Sequence, residues 1–150
     1  MKKILILALI VLSFVSCKKR KVKSQAELDE KIITNYISDN HLNATATGTG
    51  LYYVISTEGT GAQPNSGSTV TVNYKGSLKD GTVFDQSAAA GVTFNLNTVI
   101  QGWKEGIPLF KKGGKGVLLI PSALGYGDKA TGKIPANSVL IFDIDLINVQ

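Results

Sequence analysis

The stretch that most constrains this chain is Val99-Ile100-Gln101-Gly102-Trp103-Lys104-Glu105-Gly106-Ile107, which carries its only tryptophan. Two β-branched residues end a strand-like run, and Gly102 reads as the point where the backbone turns tightly into a short helix. Pro108 limits that helix, because the residue before a proline is driven out of the helical region. A helix of about two turns has no stability of its own in water, so packing must hold it. Trp103, on its first turn, offers a large flat apolar face for that packing. The rest of the chain has to supply a surface that wraps a short helix.

That surface reads as β-structure. Ser68 to Leu78 alternates Val70, Val72 and Tyr74 with Thr69, Thr71 and Asn73, the period-two pattern of a half-buried strand. Asp80-Gly81 is a hairpin signal, and Thr82 to Asp85 starts the returning strand. Leu51–Ser56, Val92–Leu96, Val117–Pro121 and Val139–Val149 read as further strands, the last with Asp143 and Asp145 set between apolar residues. Strands joined mainly by turns, with one short helix, give an α+β class: a twisted antiparallel sheet wrapped around that helix.

Ahead of the strands, Ser24-Gln25-Ala26-Glu27 has the capping-box pattern. Leu28, Ile32, Ile33, Tyr36 and Ile37 follow at helical spacing, which predicts an N-terminal amphipathic helix over 25–39. Its apolar stripe needs a partner: the domain's own flank, a second copy or other protein, or a membrane interface. Glu27, Asp29, Glu30 and Asp39 against a single Lys31 disfavour the membrane. The small polar run 44–50 reads as a flexible joint.

The formal charge of +5 suggests a basic protein, but its distribution says otherwise. Lys2, Lys3, Lys18, Lys19, Arg20, Lys21 and Lys23 all precede the first helix, and from Ser24 onward nine basic residues face eleven acidic ones. A nucleic-acid binder carries its charge on the folded domain, so nucleic acid is an unexpected partner. Met1 to Cys17 reads as an export signal, with two lysines and an apolar run from Ile4 to Val15 too short for a good transmembrane helix. The expected plan is 1–17 signal peptide, 18–23 basic linker, 24–50 helix and joint, and 51–150 a single domain. Cys17 is the sole cysteine, so that domain lives on its core without disulfides.

Candidate chemistry narrows by elimination. The single His41 lies outside the strands, the domain has no thiol, and Lys111-Lys112-Gly113-Gly114-Lys115 lacks phosphate-loop spacing. Covalent catalysis and metal hydrolysis are therefore poor expectations, and neither metal nor cofactor is expected. What remains is aromatic: Tyr74, Phe84, Phe94, Trp103, Tyr126 and Phe142. With Asp85 they suit a small apolar pocket bearing one carboxylate and one phenol. They equally suit a plain core in which Asp85 is a structural acceptor, and composition does not choose.

Five ordered motifs choose. Val72-Asn73-Tyr74-Lys75-Gly76-Ser77-Leu78, Asp80-Gly81-Thr82-Val83-Phe84-Asp85, Val99-Ile100-Gln101-Gly102-Trp103, Ala123-Leu124-Gly125-Tyr126-Gly127 and Leu140-Ile141-Phe142-Asp143-Ile144 resemble, in order, the signature of FKBP-type peptidyl-prolyl cis-trans isomerases. The resemblance implies a sheet of five to six strands around one short helix. It implies Trp103 as the floor beneath a substrate proline ring, with Tyr74, Phe84, Val99, Ile100 and Phe142 as walls. It also implies Asp85 as the acidic group, the Ile100 N–H and Tyr126 hydroxyl as donors to substrate carbonyls, and Ile134 as an apolar contact from the loop. Val92 stands where many members have an aromatic wall, which implies a more open side. Ser16-Cys17 resembles the lipobox of bacterial lipoproteins, and the N-terminal signal and helix resemble those of membrane-anchored FKBP-type lipoproteins of the gliding-motility-associated kind. The implied setting is a bacterial envelope, periplasm-facing, with a lipid on Cys17 and proline-containing polypeptides as clients. Two alternatives remain: a pocket that binds proline segments without turnover, or a chaperone or scaffold in an envelope assembly.

Overall fold

The computed structural model of the chain describes residues 23–150. The expected signal peptide, Cys17 and nearly all of the basic linker lie outside the described residues.

Helix α1 spans Gln25–Asp39, with Ser24 as N-cap accepting from the Glu27 N–H while Glu27 answers with a hydrogen bond from the Ser24 N–H. Both halves of the capping box are thus present. The helix ends where His41 takes a left-handed backbone conformation, φ 53°. Seven strands follow in one antiparallel sheet: β1 Thr45–Ala46, β2 Tyr52–Thr57, β3 Thr69–Ser77, β4 Val83–Gln86, β5 Val92–Asn95, β6 Lys115–Ile120 and β7 Leu140–Val149. Their order is β1-β2-β6-β7-β3-β4, with β5 paired to the other end of β3. Helix α2, Gln101–Gly106, ends in a 3-10 turn over Ile107–Leu109 that contains Pro108.

The period-two pattern sorts the sheet's faces. Val70 and Val72 of β3, Leu118 and Ile120 of β6, and Leu140, Phe142, Ile144 and Leu146 of β7 point inward with Trp103, Ile107 and Phe110. This is the main core, and it holds α2 by burial rather than by helix propensity. On the outer face, Tyr52, Leu119 and Ile141 sit side by side in register and are covered by α1 through Ile33, Tyr36 and Ile37. The stripe on α1 from Ile32 to Ile37 therefore packs on the domain's own flank, while Leu28 stays exposed. Farther along the same face, apolar residues give way to Lys75–Asp143 at 3.1 Å and Lys115–Asp145 at 2.7 Å, exposed ion pairs on a solvated surface.

Three expectations are corrected. The sheet has seven strands rather than five to six; the addition is β1, whose two residues are too few to show a period. Part of the run read as a flexible joint is consequently a strand pairing Thr45 with Tyr53, and Thr47 and Thr49 beyond it hydrogen-bond to Glu105 of α2. Gly102 does not serve as a turn, since it lies inside α2; it is a place of close approach. A Cβ there would stand 2.4 Å from Ile120 Cγ2, and one on Gly106 2.7 Å from both Leu118 Cδ atoms. The two glycines give α2 a bare face that lies directly on β6.

Candidate active site

A cavity of about 340 Å³ opens between α2 and the inner face of the sheet, lined by Tyr74, Asp85, Phe94, Thr98, Val99, Ile100, Trp103, Tyr126 and Phe142. They come from seven stretches: Tyr74 from β3, Asp85 from β4, Phe94 from β5, residues 98–100 from the approach to α2, Trp103 from α2, Tyr126 from the loop after β6, and Phe142 from β7. Trp103 is 4% exposed and forms the floor. Three rings stand nearly perpendicular to it: Tyr74 at 5.2 Å and 88°, Phe94 at 5.4 Å and 84°, and Phe142 at 5.4 Å and 79° between centroids and planes. These edge-to-face pairs fix the floor's orientation and leave an apolar box. The indole Nε1 is buried without a hydrogen-bond partner among the described residues.

Polar groups sit at the rim. Asp85 is exposed, and its Oδ2 accepts a 2.8 Å hydrogen bond from the Tyr74 hydroxyl. Burial first, and then that bond to a carboxylate, push the Tyr74 phenol up to about 12. Tyr126 is 39% exposed, with its hydroxyl free of partners among the described residues. The Ile100 N–H immediately precedes the first turn of α2 and has no internal acceptor there either, while the Ile100 carbonyl accepts from Trp103 and Lys104. A larger depression of about 540 Å³ lies over the charged outer face. Its walls are the two exposed ion pairs and their neighbours, and Tyr74 is the only aromatic residue among them.

Seven of the nine residues implied by the resemblance line the cavity: Tyr74, Asp85, Val99, Ile100, Trp103, Tyr126 and Phe142. Phe84 stands one layer back, its ring 5.5 Å from that of Phe142. Both rings lie over Gly76, where a Cβ would approach Phe84 to 2.5 Å and Phe142 to 2.8 Å. Ile134 is 6% exposed and belongs to the main core. The β5 wall is Phe94, whereas Val92 is exposed and off the cavity. Phe94 pairs with Val70 across the β3–β5 ladder. Cross-strand partners share a face, so the register of β5 on β3 turns this candidate ring into a wall.

Among the described residues no group of three or more His, Cys, Asp and Glu side chains could hold a metal ion, and no helix is long and apolar enough to cross a membrane.

Known proteins agree with this architecture. The family model described as FKBP-type peptidyl-prolyl cis-trans isomerase matches residues 60–147. The chain is 40% identical over 134 residues to the FKBP-type peptidyl-prolyl cis-trans isomerase FkpA of Aeromonas hydrophila, covering 88% of this chain and 49% of that protein. It is 46% identical over 106 residues to FkpA of Escherichia coli, covering 69% and 39%. The chain thus spans half or less of the length of these curated relatives. The crystal structure of FkpA from Escherichia coli superimposes with a TM-score of 0.75 at 39% identity, covering 84% of this chain and 61% of that one. A peptidyl-prolyl cis-trans isomerase from Pseudomonas syringae gives 0.72 at 31% identity, covering 86% and 98%. With the family model matching more than half of its length and solved members of that family superimposing on its fold, the chain belongs to the FKBP-type peptidyl-prolyl cis-trans isomerase family.

Proposed function

We propose that this chain catalyses prolyl cis-trans isomerisation in polypeptide clients, with Trp103, Asp85 and Tyr126 as its catalytic residues. The observation that carries the reading is the box itself: an indole floor with three rings on edge, and polar groups only at the mouth. Rotation about a prolyl bond faces a barrier of roughly 18–20 kcal/mol, because the amide must lose its resonance. Halfway through the turn, much of the charge separation of the planar amide has gone. A dry aromatic site then binds the twisted amide better than the planar one, and that difference is what accelerates the step. Tyr74, Val99, Ile100 and Phe142 enclose the ring, and Phe84 and Ile134 support that enclosure from behind. The Ile100 N–H and the Tyr126 hydroxyl, both uncommitted, are placed to receive substrate carbonyls, and Asp85 fixes the Tyr74 hydroxyl at the rim. No proton changes hands, which suits a cavity without histidine.

The test is the cis-to-trans conversion of a short X-Pro peptide by the full chain, beside an Asp85→Val, Tyr126→Phe double variant. The uncatalysed step takes tens to hundreds of seconds, which leaves a clear window. Losing the Tyr126 hydrogen bond to the reacting amide is worth about 1 kcal/mol, or about fivefold, and losing the Asp85–Tyr74 bond at the rim adds at most as much again, so the folded variant should lose between about five- and thirtyfold in kcat/KM. A folded wild-type chain that gives no acceleration, whatever residue precedes the proline, would leave binding without turnover as the function.

The cellular setting belongs to the same proposal. The clients are proline-containing segments of exported or envelope proteins, and Cys17 carries a lipid that holds the chain to a bacterial membrane facing the periplasm. The basic run after Cys17 adds attraction to anionic headgroups of on the order of 1 kcal/mol per lysine. In cells, Cys17→Ser should move the chain from the membrane to the soluble fraction; retention on the membrane would remove the lipid from the account.

A further inference from the structure

Asp29 of α1 is 1% exposed, the only buried charged side chain among the described residues. No cation among the described residues pairs with it. Its Oδ1 accepts from Gln25 Nε2 at 2.7 Å, and its Oδ2 accepts from both the N–H and the hydroxyl of Ser122, at 2.8 and 2.6 Å. Burying a carboxylate is costly, and packing alone would have docked the helix with an apolar residue here. Ser122 is what this carboxylate holds, and Ser122 in turn holds the cavity's phenol. Its carbonyl accepts from the N–H groups of Gly125 at 3.0 Å and Gly127 at 2.8 Å, the two residues that flank Tyr126. Gly127 then takes the Asn137 N–H on its own carbonyl at 2.7 Å, which closes the loop behind the tyrosine.

A second strut starts from the same N-terminal segment. Glu105 Oε1 accepts from the Thr47 and Thr49 hydroxyls, both at 2.6 Å, and Glu105 lies on α2 two residues after Trp103. Segment 24–49 thus grips the loop that carries the rim hydroxyl and the helix that carries the floor.

We infer that Asp29 is a positioning residue: through Ser122 it sets the height and direction of Tyr126 at the mouth of the cavity, so the N-terminal helix is a working part of the site. The inference rests on the isomerase reading of that cavity. Asp29 itself touches no substrate.

The experiment uses the full chain with Asp29→Ala, alone and combined with Tyr126→Phe, and reads isomerase kinetics together with amide hydrogen exchange at Gly127. Asp29→Ala should lower kcat several-fold with KM little changed, and by no more than Tyr126→Phe does alone. In the Tyr126→Phe background it should cost less than about twofold further, because the group it positions is gone. The Gly127 amide should exchange faster, while the amides of β3 and β7 keep their protection. An Asp29→Ala loss that persists in full without the Tyr126 hydroxyl, or unchanged protection of Gly127, would overturn the inference. If Asp29→Ala does not fold, Ser122→Ala removes one strand of the same link and should show a smaller loss of the same pattern; an additive loss with Tyr126→Phe would count against the link. Should the wild-type chain show no turnover, the isomerase reading fails, and the exchange of Gly127 alone decides whether Asp29 positions the loop.

Discussion

Gly102→Ala tests how α2 is held, and through it how the floor is set. The added Cβ would lie 2.4 Å from Cγ2, 2.8 Å from Cδ1 and 3.0 Å from Cγ1 of Ile120, where carbon atoms normally rest about 3.5–4 Å apart. Ile120 is fully buried between β6 and α2, so its side chain has nowhere to swing. The helix must lift by about 1 Å or the strand must yield, and overpacking of this kind costs about 1–3 kcal/mol. Alanine recovers at most about 1 kcal/mol in helix propensity. The net expectation is a loss of about 1–2 kcal/mol, read as a lower urea midpoint by the fluorescence of Trp103, the only tryptophan. Ile120→Ala deletes all three crowding atoms and costs about 2–4 kcal/mol by itself. In the double variant the methyl at 102 moves into the vacated space, so the two losses should fall short of additivity by about 1–2 kcal/mol. An unchanged or raised midpoint for Gly102→Ala would refute the close-approach reading. Strict additivity with Ile120→Ala would do the same.

Two further outcomes follow from burial and charge. The Tyr74 phenol titrates near 12 in the folded chain against 10.0 when free, so the folded state holds its proton longer and stability should fall as pH rises from about 10 to about 12. Partial exposure limits the effect to about 1 kcal/mol, and Tyr74→Phe should flatten that slope in urea midpoints taken across the window; an unchanged slope would mean another group is responsible. Ile33 is fully buried between α1 and the outer face beside Leu119, Val139 and Ile141, so Ile33→Ala should cost about 2–4 kcal/mol and leave a single cooperative transition. A loss below about 0.5 kcal/mol, or a separate early transition, would show that α1 unfolds independently of the sheet.

Most of the strands were legible because their burial is one-sided. Val70, Val72 and Tyr74 alternate with polar residues over the length of β3, and β7 repeats the pattern with Asp143 and Asp145 on the wet side. The start of α1 was legible for a chemical reason: Ser24 and Glu27 satisfy each other's neighbouring N–H groups, and few other residue pairs at that spacing do. What stayed hidden depends on residues distant in sequence. The Thr45–Ala46 strand exists because β2 offers it an edge, and nothing in two small residues announces that. Gly102 as a contact surface required knowing that Ile120 would lie beneath it. Phe94 was a candidate for either pocket or plain core, and its register with Val70 is what makes it a wall. Asp29 counted only as one of four acidic residues on the helix, since its value comes from Ser122, ninety-three residues away.

The arrangement of the cavity explains why so much of the site resists a residue-by-residue reading. An enzyme that moves a proton or forms a covalent bond concentrates its rate enhancement in one or two side chains, whose removal is close to lethal for turnover. Here the cavity's apolar floor and walls come from five separate stretches, and its hydrogen-bond donors are single groups at the mouth. The rate advantage proposed for it is therefore spread over desolvation by several rings and a few bonds of about 1 kcal/mol each. Such a site depends less on any single functional group than on the relative placement of its walls. That placement is set from behind: by the bare glycine face of α2 on β6, by Gly76 beneath Phe84 and Phe142, and by Asp29 behind the Tyr126 loop. Residues that never meet the substrate should thus weigh as much in the kinetics as those that do.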